Sequence, residues 1–189
     1  PNGKVHRLHD DGRVPEDNPF VGQKDAIESI WSYGHRNPQG LALHPGTGQL
    51  WAAEHGPKGG DELNHVRKGL NYGWPVITYG INYDGTPITD KTEAEGMEQP
   101  QTYWLPSIAV CGIDFYTGEG FGKWQHDLLV TSLKFNRLHR VRIEGVEVVH
   151  DEIVYEGESR VRDVQTGPNG AVYLAVEEPG RILRLMPEK

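Results

Sequence analysis

Apolar positions along this chain either alternate with polar ones or bunch in short runs, and turn-forming residues separate nearly every run from the next. Lys4-Val5-His6-Arg7-Leu8 alternates and breaks at Asp10-Asp11-Gly12, which predicts a strand running into a hairpin-type turn. The stretch 13–20 carries two prolines and is a loop, while Ala26–Tyr33 (AIESIWSY) fits a strand in keeping with its neighbours. Leu41–His44 and Gln49–Glu54 predict two strands across the turn Pro45-Gly46-Thr47-Gly48, with Leu63–Val66 as a third. Residues 82–100 are polar and turn-rich with no period, so they predict a long surface loop, and loops of that length usually serve a function or an interface. Strands are then expected at Ile108–Tyr116, Asp127–Ser132, Leu138–Ile143 and Val146–Val154, the last two joined by a tight Glu144-Gly145 turn. Val161–Thr166, Ala171–Val176 and Arg181–Leu185 complete the series.

Two phrases recur. Gln39–Glu54 and Asp163–Ala175 each read as strand, a turn containing Pro and Gly, and a strand ending in small residues. Gly3-Lys4-Val5-His6-Arg7-Leu8 likewise parallels Gly180-Arg181-Ile182-Leu183-Arg184-Leu185. Repeated antiparallel four-strand units of roughly 40–50 residues are the mark of a β-propeller. A sandwich also gives many short strands, but it does not call for the same phrase twice. The expectation is an all-β chain covering about four blades, with residues 1–189 as one part of a single propeller domain. GKVHRL reads as the last strand of a blade whose other strands lie upstream, and an open arc of blades would expose strand edges.

Charge narrows the partners. Lys+Arg 19 against Asp+Glu 27 gives a net charge of −8 with no basic stripe, which argues against nucleic acid. No apolar run is long enough to suggest a membrane span, and Pro1-Asn2-Gly3-Lys4 has no signal-peptide character. The single cysteine, Cys111, cannot form an intrachain disulfide and reads as a small buried hydrophobe. No GxGxxG, P-loop or GxSxG phrase occurs, and the scattered histidines give no zinc-ligand spacing.

Candidate chemistry concentrates between Gly34 and Pro75, where Arg36, Asn37, Gln39, Glu54, His55, Lys58, Asp61, Glu62 and Asn64 flank two apolar runs. Polar groups gathered at strand ends are where sites are usually built. Arg160 and Arg162, at i and i+2 of an expected strand, should emerge on one face. On residue type alone Arg36, Lys134 and the arginine pair are surface charges, and Asp61-Glu62 an ion-pair cluster.

GHRNPQGLALHP, EHGPKGGDELN, KGLNYGWPVITYG, PSIAVCGIDFYTG, LLVTSLK and RVRDVQTGPNGAVYLA, in that order, resemble the soluble quinoprotein sugar dehydrogenases. The match is to the aldose sugar dehydrogenase branch of the glucose/sorbosone dehydrogenase family, and it covers essentially the whole chain. The resemblance implies a six-bladed β-propeller that binds pyrroloquinoline quinone (PQQ) and calcium and oxidises aldoses at the anomeric carbon to lactones. It further implies a periplasmic or secreted protein, an external electron acceptor, and an N-terminal part of the propeller not contained in these residues.

By that resemblance Arg160 and Arg162 bind the cofactor, as do Asn37, Gln39, Ser107 and Lys134, and Arg36 lies near the reactive quinone oxygen, where a cation stabilises developing charge. The carbonyls of Gly56 and Pro57 hold the ion that also binds the quinone. The Glu62 carboxylate and Tyr72 carbonyl are implied for a second calcium site. His55 stands where glucose dehydrogenases have Gln, in reach of the cofactor. Two departures matter. The family's general-base His has no counterpart here, so these residues alone should not turn over. PSIAVCG differs from the family's PSIAPSG at Val110 and Cys111. Alternatives left open are a propeller that only binds its ligand and a calcium-dependent propeller lactonase, which would need several carboxylates converging on one ion.

Overall fold

A computed structural model describes residues 2–187 and contains thirteen strands, all paired antiparallel with their sheet neighbours. Strands β1 (Lys4–His6) and β2 (Ile30–Tyr33) form a two-stranded sheet. A four-stranded sheet follows in the order β3 (Pro38–Leu43), β4 (Leu50–Glu54), β5 (Asp61–Val66), β6 (Thr102–Trp104). The next is β7 (Val110–Phe115), β8 (Leu128–Ser132), β9 (Arg137–Glu144), β10 (Glu147–Glu156). Last comes the three-stranded sheet β11 (Val161–Thr166), β12 (Val172–Val176), β13 (Arg181–Leu185). The expected all-β character and four-stranded antiparallel units are present.

The sheets pack face to face in chain order, and this explains the apolar bunching. On β4, Trp51 and Ala53 pack with Ile108, Val110, Ile113 and Val130 of the following sheet, while Ala52 and Leu50 pack with Val5 and Trp31 of the preceding one. On β8, Leu128 and Val130 face back while Leu129 faces forward to Val164, Val172 and Leu174. A strand sandwiched on both faces buries every residue, so alternation is lost and a continuous apolar run results. β10, the outer strand of its sheet, is covered less and leaves even Val149 and Ile153 exposed.

The first strands of the three larger sheets, β3, β7 and β11, lie side by side. Each carries a β-bulge near its start, at Gln39, at Cys111-Gly112 and at Arg162. Glycines at two of these bulges set the spacing. A Cβ on Gly40 would lie 2.4 Å from the Cys111 carbonyl oxygen, and one on Gly112 would lie 2.2 Å from Asp163 Oδ1. Bulges re-aim side chains, and here they join up: the Cys111 thiol lies 4.0 Å from Gln39 Oε1 and 3.6 Å from Arg162 Nη1.

Several expected boundaries move. Only Ile30–Tyr33 of the 26–33 segment is strand, because i+3→i backbone bonds (Ala26 to Gln23, Ile30 to Ile27) coil the chain before it. Thr102–Trp104 is a strand that the long polar stretch conceals; Trp104 is buried there and donates from Nε1 to Asp151 Oδ2 at 2.9 Å. The turn around Phe121 and Trp124 contains a short 3-10 helix, Gly122–Trp124. The 82–100 stretch has no strand, as expected.

Candidate functional site

The tight connection between β4 and β5, residues 55–60, builds one wall of a cavity of about 800 Å³. His55, Pro57 and Lys58 come from this connection, Ser107 from the approach to β7, Lys134 from the β8–β9 turn, and Arg160 from the start of β11. Ile81 and Tyr83 of the long loop and Leu105 and Pro106 add apolar surface. Three cations therefore border one space whose described lining holds no carboxylate, in a chain of net charge −8. Lys58 and Lys134 make no ion pair among the described residues, and Arg160 makes only a loose one, 3.9 Å from Glu177.

A small recess adjoins the cavity, and His55 lines both. It is bordered by Arg36, Gly56, Glu62, Tyr72 and Trp74 among others. Arg36 is held with its guanidinium carbon 5.4 Å from the Trp74 ring centre and Nη1 donating to the His55 carbonyl at 3.0 Å. His55 Nε2 is buried with no partner among the described residues.

Backbone packing at the connection is severe. A Cβ on Gly56 would lie 2.1 Å from the Gly59 carbonyl oxygen and 2.3 Å from that of Gly60, so only glycine fits. Gly59 and Gly60 adopt φ of 103° and 68°, which turn the chain back into β5. Asp61 fastens this arrangement. Its Oδ1 accepts from the Gly56 N–H at 3.0 Å and the Ser107 hydroxyl at 2.6 Å, and Oδ2 accepts from the Val110 N–H at 3.2 Å. One fully buried carboxylate thus ties the connection, Ser107 and β7 together.

Behind the recess runs a buried polar chain. Ser32 Oγ lies 2.8 Å from His35 Nε2, His35 Nδ1 lies 2.9 Å from Glu54 Oε1, and Glu54 Oε2 accepts from the Arg36 N–H at 2.7 Å. Asn64 donates from Nδ2 to Glu54 Oε1 at 2.8 Å and to Glu62 Oε2 at 3.1 Å. The order Ser–His–Glu imitates a hydrolytic triad, but Ser32, His35 and Glu54 are buried at 0%, 1% and 3% exposure, so no substrate reaches the hydroxyl. The chain instead fixes the start of the Arg36 segment. Burial first, and then the neighbouring Glu54 charge, push the Glu62 carboxyl up to about 8. Tyr72 stacks on His35 at 4.4 Å and donates to the His65 carbonyl at 2.6 Å, and burial pushes its hydroxyl up to about 12.

A divalent ion is chemically suited to this corner. Gly56, Pro57 and Tyr72 are buried, and no hydrogen bond reaches their carbonyl oxygens among the described residues. Uncommitted main-chain oxygens near a carboxylate that burial disfavours as an anion suit a hard, oxygen-seeking cation. No cluster of three or more His, Cys, Asp or Glu converges among the described residues, so an ion here would depend on main-chain oxygens.

The structure brings His55, Pro57, Ser107, Lys134 and Arg160 to the cavity and Arg36, Gly56, Glu62 and Tyr72 to the recess. Asn37, Gln39 and Arg162 line neither. Arg160 and Arg162 share one face, as expected: both are exposed on either side of the buried Val161, and both reach the Glu177 carboxylate. Arg162 turns to Glu177, with Nε 2.7 Å from Oε1, and to Cys111. Asn37 and Gln39 hold each other, Nε2 of Gln39 lying 3.0 Å from Oδ1 of Asn37. The sequence counts Glu54, Lys58 and Asp61 among the candidates without giving them a specific role, and it does not single out His35 or Glu177; for Lys58 and Asp61, adjacency to the Gly-rich connection was the available signal.

Comparison with known proteins decides the family. The profile described as glucose / sorbosone dehydrogenase matches residues 1–184. The chain belongs to this family. It is 46% identical to aldose sugar dehydrogenase YliI of Escherichia coli over 98% of this chain and 51% of that protein. It is 53% identical to quinoprotein glucose dehydrogenase B of Acinetobacter calcoaceticus over 75% of this chain and 40% of that protein. Among solved structures, the PQQ-bound aldose sugar dehydrogenase of Streptomyces coelicolor superposes with a TM-score of 0.74 at 29% identity, covering 97% of this chain and 52% of that one. The family member thus spans about half the length of the curated relatives it matches.

Proposed function

We propose that this chain forms much of the cofactor cradle of a PQQ- and calcium-dependent aldose dehydrogenase. The observation that carries the reading is the cavity bordered by Lys58, Lys134 and Arg160 without a carboxylate. A planar quinone with three carboxylates matches such a site, since cations with few internal partners keep their charge for a ligand. The family supports sugar oxidation, and the Acinetobacter and Streptomyces relatives are named for quinone chemistry.

When bound, the quinone supplies the hydride acceptor for the anomeric carbon of an aldose, leaving a lactone, and calcium supplies Lewis-acid polarisation of its carbonyl. Lys134, Arg160 and Ser107 would hold the carboxylates. Arg36, already aimed by Trp74 and the His55 carbonyl, would place positive charge at the reacting edge. The Gly56 and Pro57 carbonyls would hold the ion next to the quinone, and the Glu62 carboxylate with the Tyr72 carbonyl a second ion. The apolar surface of Ile81, Tyr83 and Leu105 would exclude water from the ring. We further propose a six-bladed propeller, of which this chain supplies about four blades, with the base that takes the sugar hydroxyl proton provided by the rest of the protein. A periplasmic location and an external electron acceptor belong to the same reading. No helix among the described residues is long and apolar enough to cross a membrane.

The test is direct. Full-length protein is mixed with PQQ and calcium, and aldose-dependent reduction of a dye is followed alongside PQQ binding. Dye reduction that needs about tenfold more PQQ in Lys134→Ala and in Arg160→Ala supports the reading; failure to bind PQQ overturns it. Binding without dye reduction for any aldose would leave a module that only binds. A lactonase is disfavoured because the cavity offers cations where that chemistry needs converging carboxylates.

A further inference from the structure

Glu177 stands just after β12 and reaches both arginines at the start of β11. Its backbone N–H donates to the Arg160 carbonyl at 3.0 Å, which fixes where its side chain begins. Its Oε1 receives Nε of Arg162 at 2.7 Å and also contacts Nη2, while Oε2 lies 3.9 Å from Nη1 of Arg160. The two contacts differ in kind. Arg162 is clamped on two sides, by Glu177 and by the Cys111 sulfur at 3.6 Å. Arg160 is 63% exposed at its side chain and faces the cavity, held by Glu177 only at the outer limit of an ion pair.

We propose that Glu177 is the resident counter-anion of the cavity's arginine edge and that it sets the affinity for a polycarboxylate ligand by competing for Arg160 while keeping Arg162 in place. The inference rests on the cofactor reading above for the identity of the natural ligand, but not for its sign. Any anion entering beside Arg160 meets a carboxylate already sharing that guanidinium. A ligand carboxylate must loosen the 3.9 Å contact and sit close to a like charge. Arg162, with its fork occupied, acts on the ligand through Glu177 and serves as a positioning residue. The isosteric amide in Glu177→Gln removes the competing charge and retains an oxygen that can accept from Arg162.

The test uses the full-length protein and its Glu177→Gln and Glu177→Asp variants, titrated with PQQ by fluorescence quenching at low and high salt. A parallel titration uses benzene-1,3,5-tricarboxylate, a planar tricarboxylate with no redox chemistry. Removing one unit charge at this separation should tighten binding of either ligand about fivefold at about 0.01 M salt. The gain should shrink below about twofold at about 1 M, where charges are screened within about 3 Å. Glu177→Asp keeps the charge but draws it back from Arg160, so it should give a smaller gain of the same sign and serves if the amide variant does not fold. Unchanged or weaker binding of both ligands at low salt overturns the inference, weaker binding identifying Glu177 as a plain support for the arginines. If PQQ binds neither form while the benzene tricarboxylate binds more tightly to Glu177→Gln, the cofactor reading falls and the counter-anion role stands. If neither ligand binds any form, both fall.

Discussion

Removing the Asp61 carboxylate should loosen the molecule at the point where its site is assembled. In Asp61→Ala the N–H groups of Gly56 and Val110 lose their acceptor in a fully buried setting, and the Ser107 hydroxyl loses its own. A buried donor left unsatisfied costs about 1–3 kcal/mol, and bonds to a charged group contribute about 1.5–3 kcal/mol each. Ser107 borders the cavity and can turn to water, so its loss is discounted. The two backbone groups then set the cost at about 4 kcal/mol. Asp61→Asn keeps one oxygen for Gly56 and Ser107 but presents an amide to the Val110 N–H, and should cost about half as much. Equilibrium urea unfolding, followed by fluorescence of the buried Trp51 and Trp104, reads both numbers with an unchanged slope. Because Lys134 and Arg160 stand on other elements, calcium affinity should fall in Asp61→Asn while binding of an anionic ligand largely persists. A loss under about 1 kcal/mol in Asp61→Ala would refute the reasoning, since the contacts would then be incidental to the β4–β5 connection.

Other outcomes follow from the same geometry. Lys134→Ala and Arg160→Ala should each weaken PQQ binding about tenfold at low salt, as befits the loss of a charge-assisted contact, and calorimetric titration across ionic strengths would show the difference narrowing. Glu62→Gln should lower calcium affinity by about tenfold with little effect on PQQ binding in excess calcium, measured by competition with a chelating dye. Gly112→Ala should cost about 1–3 kcal/mol in thermal or urea unfolding, because the new methyl would meet Asp163 Oδ1 at 2.2 Å and its Cα at 2.8 Å. Burial alone would raise the Asp151 pKa, but its bond to His139, the charge of that ring and the Trp104 N–H outweigh it and leave the carboxyl below its ordinary value. A depressed carboxyl stabilises the fold above the unfolded pKa, and that stability is lost as pH falls through the folded one. Asp151→Asn should therefore flatten the acid limb of a stability–pH curve and leave the neutral region's slope unchanged.

The elements legible in the sequence were those whose residues carry their own signal. Leu50–Ala53 and Leu128–Val130 announce strands because every position is apolar, and Glu144-Gly145 and Pro168-Asn169-Gly170 announce turns because few other residues adopt those conformations. Thr102–Trp104 stayed hidden since a strand of that length has no period to read, and its partner Asp61–Leu63 is remote along the chain. Among site residues, Lys134 and Arg160 were placed through whole phrases, not through local chemistry. Arg162 shares a face with Arg160, as their i, i+2 spacing implies, but Glu177 and Cys111 hold it away from the cavity, and neither contact is visible in the spacing. Asp61 resembled one half of a surface acid pair, and only its separation of 46 residues from Ser107 and 49 from Val110 reveals it as a tertiary fastening. His35 and Glu54 lacked any sequence mark of being buried together.

The bulges at Gln39, Cys111-Gly112 and Arg162 sit at one level on adjacent strands, with Gly40 and Gly112 pressed against neighbouring main chain. How closely these strands approach one another is therefore dictated by peptide touching peptide. Side chains beside these strands can be exchanged without altering that spacing, whereas a single methyl at either glycine would wedge the strands apart.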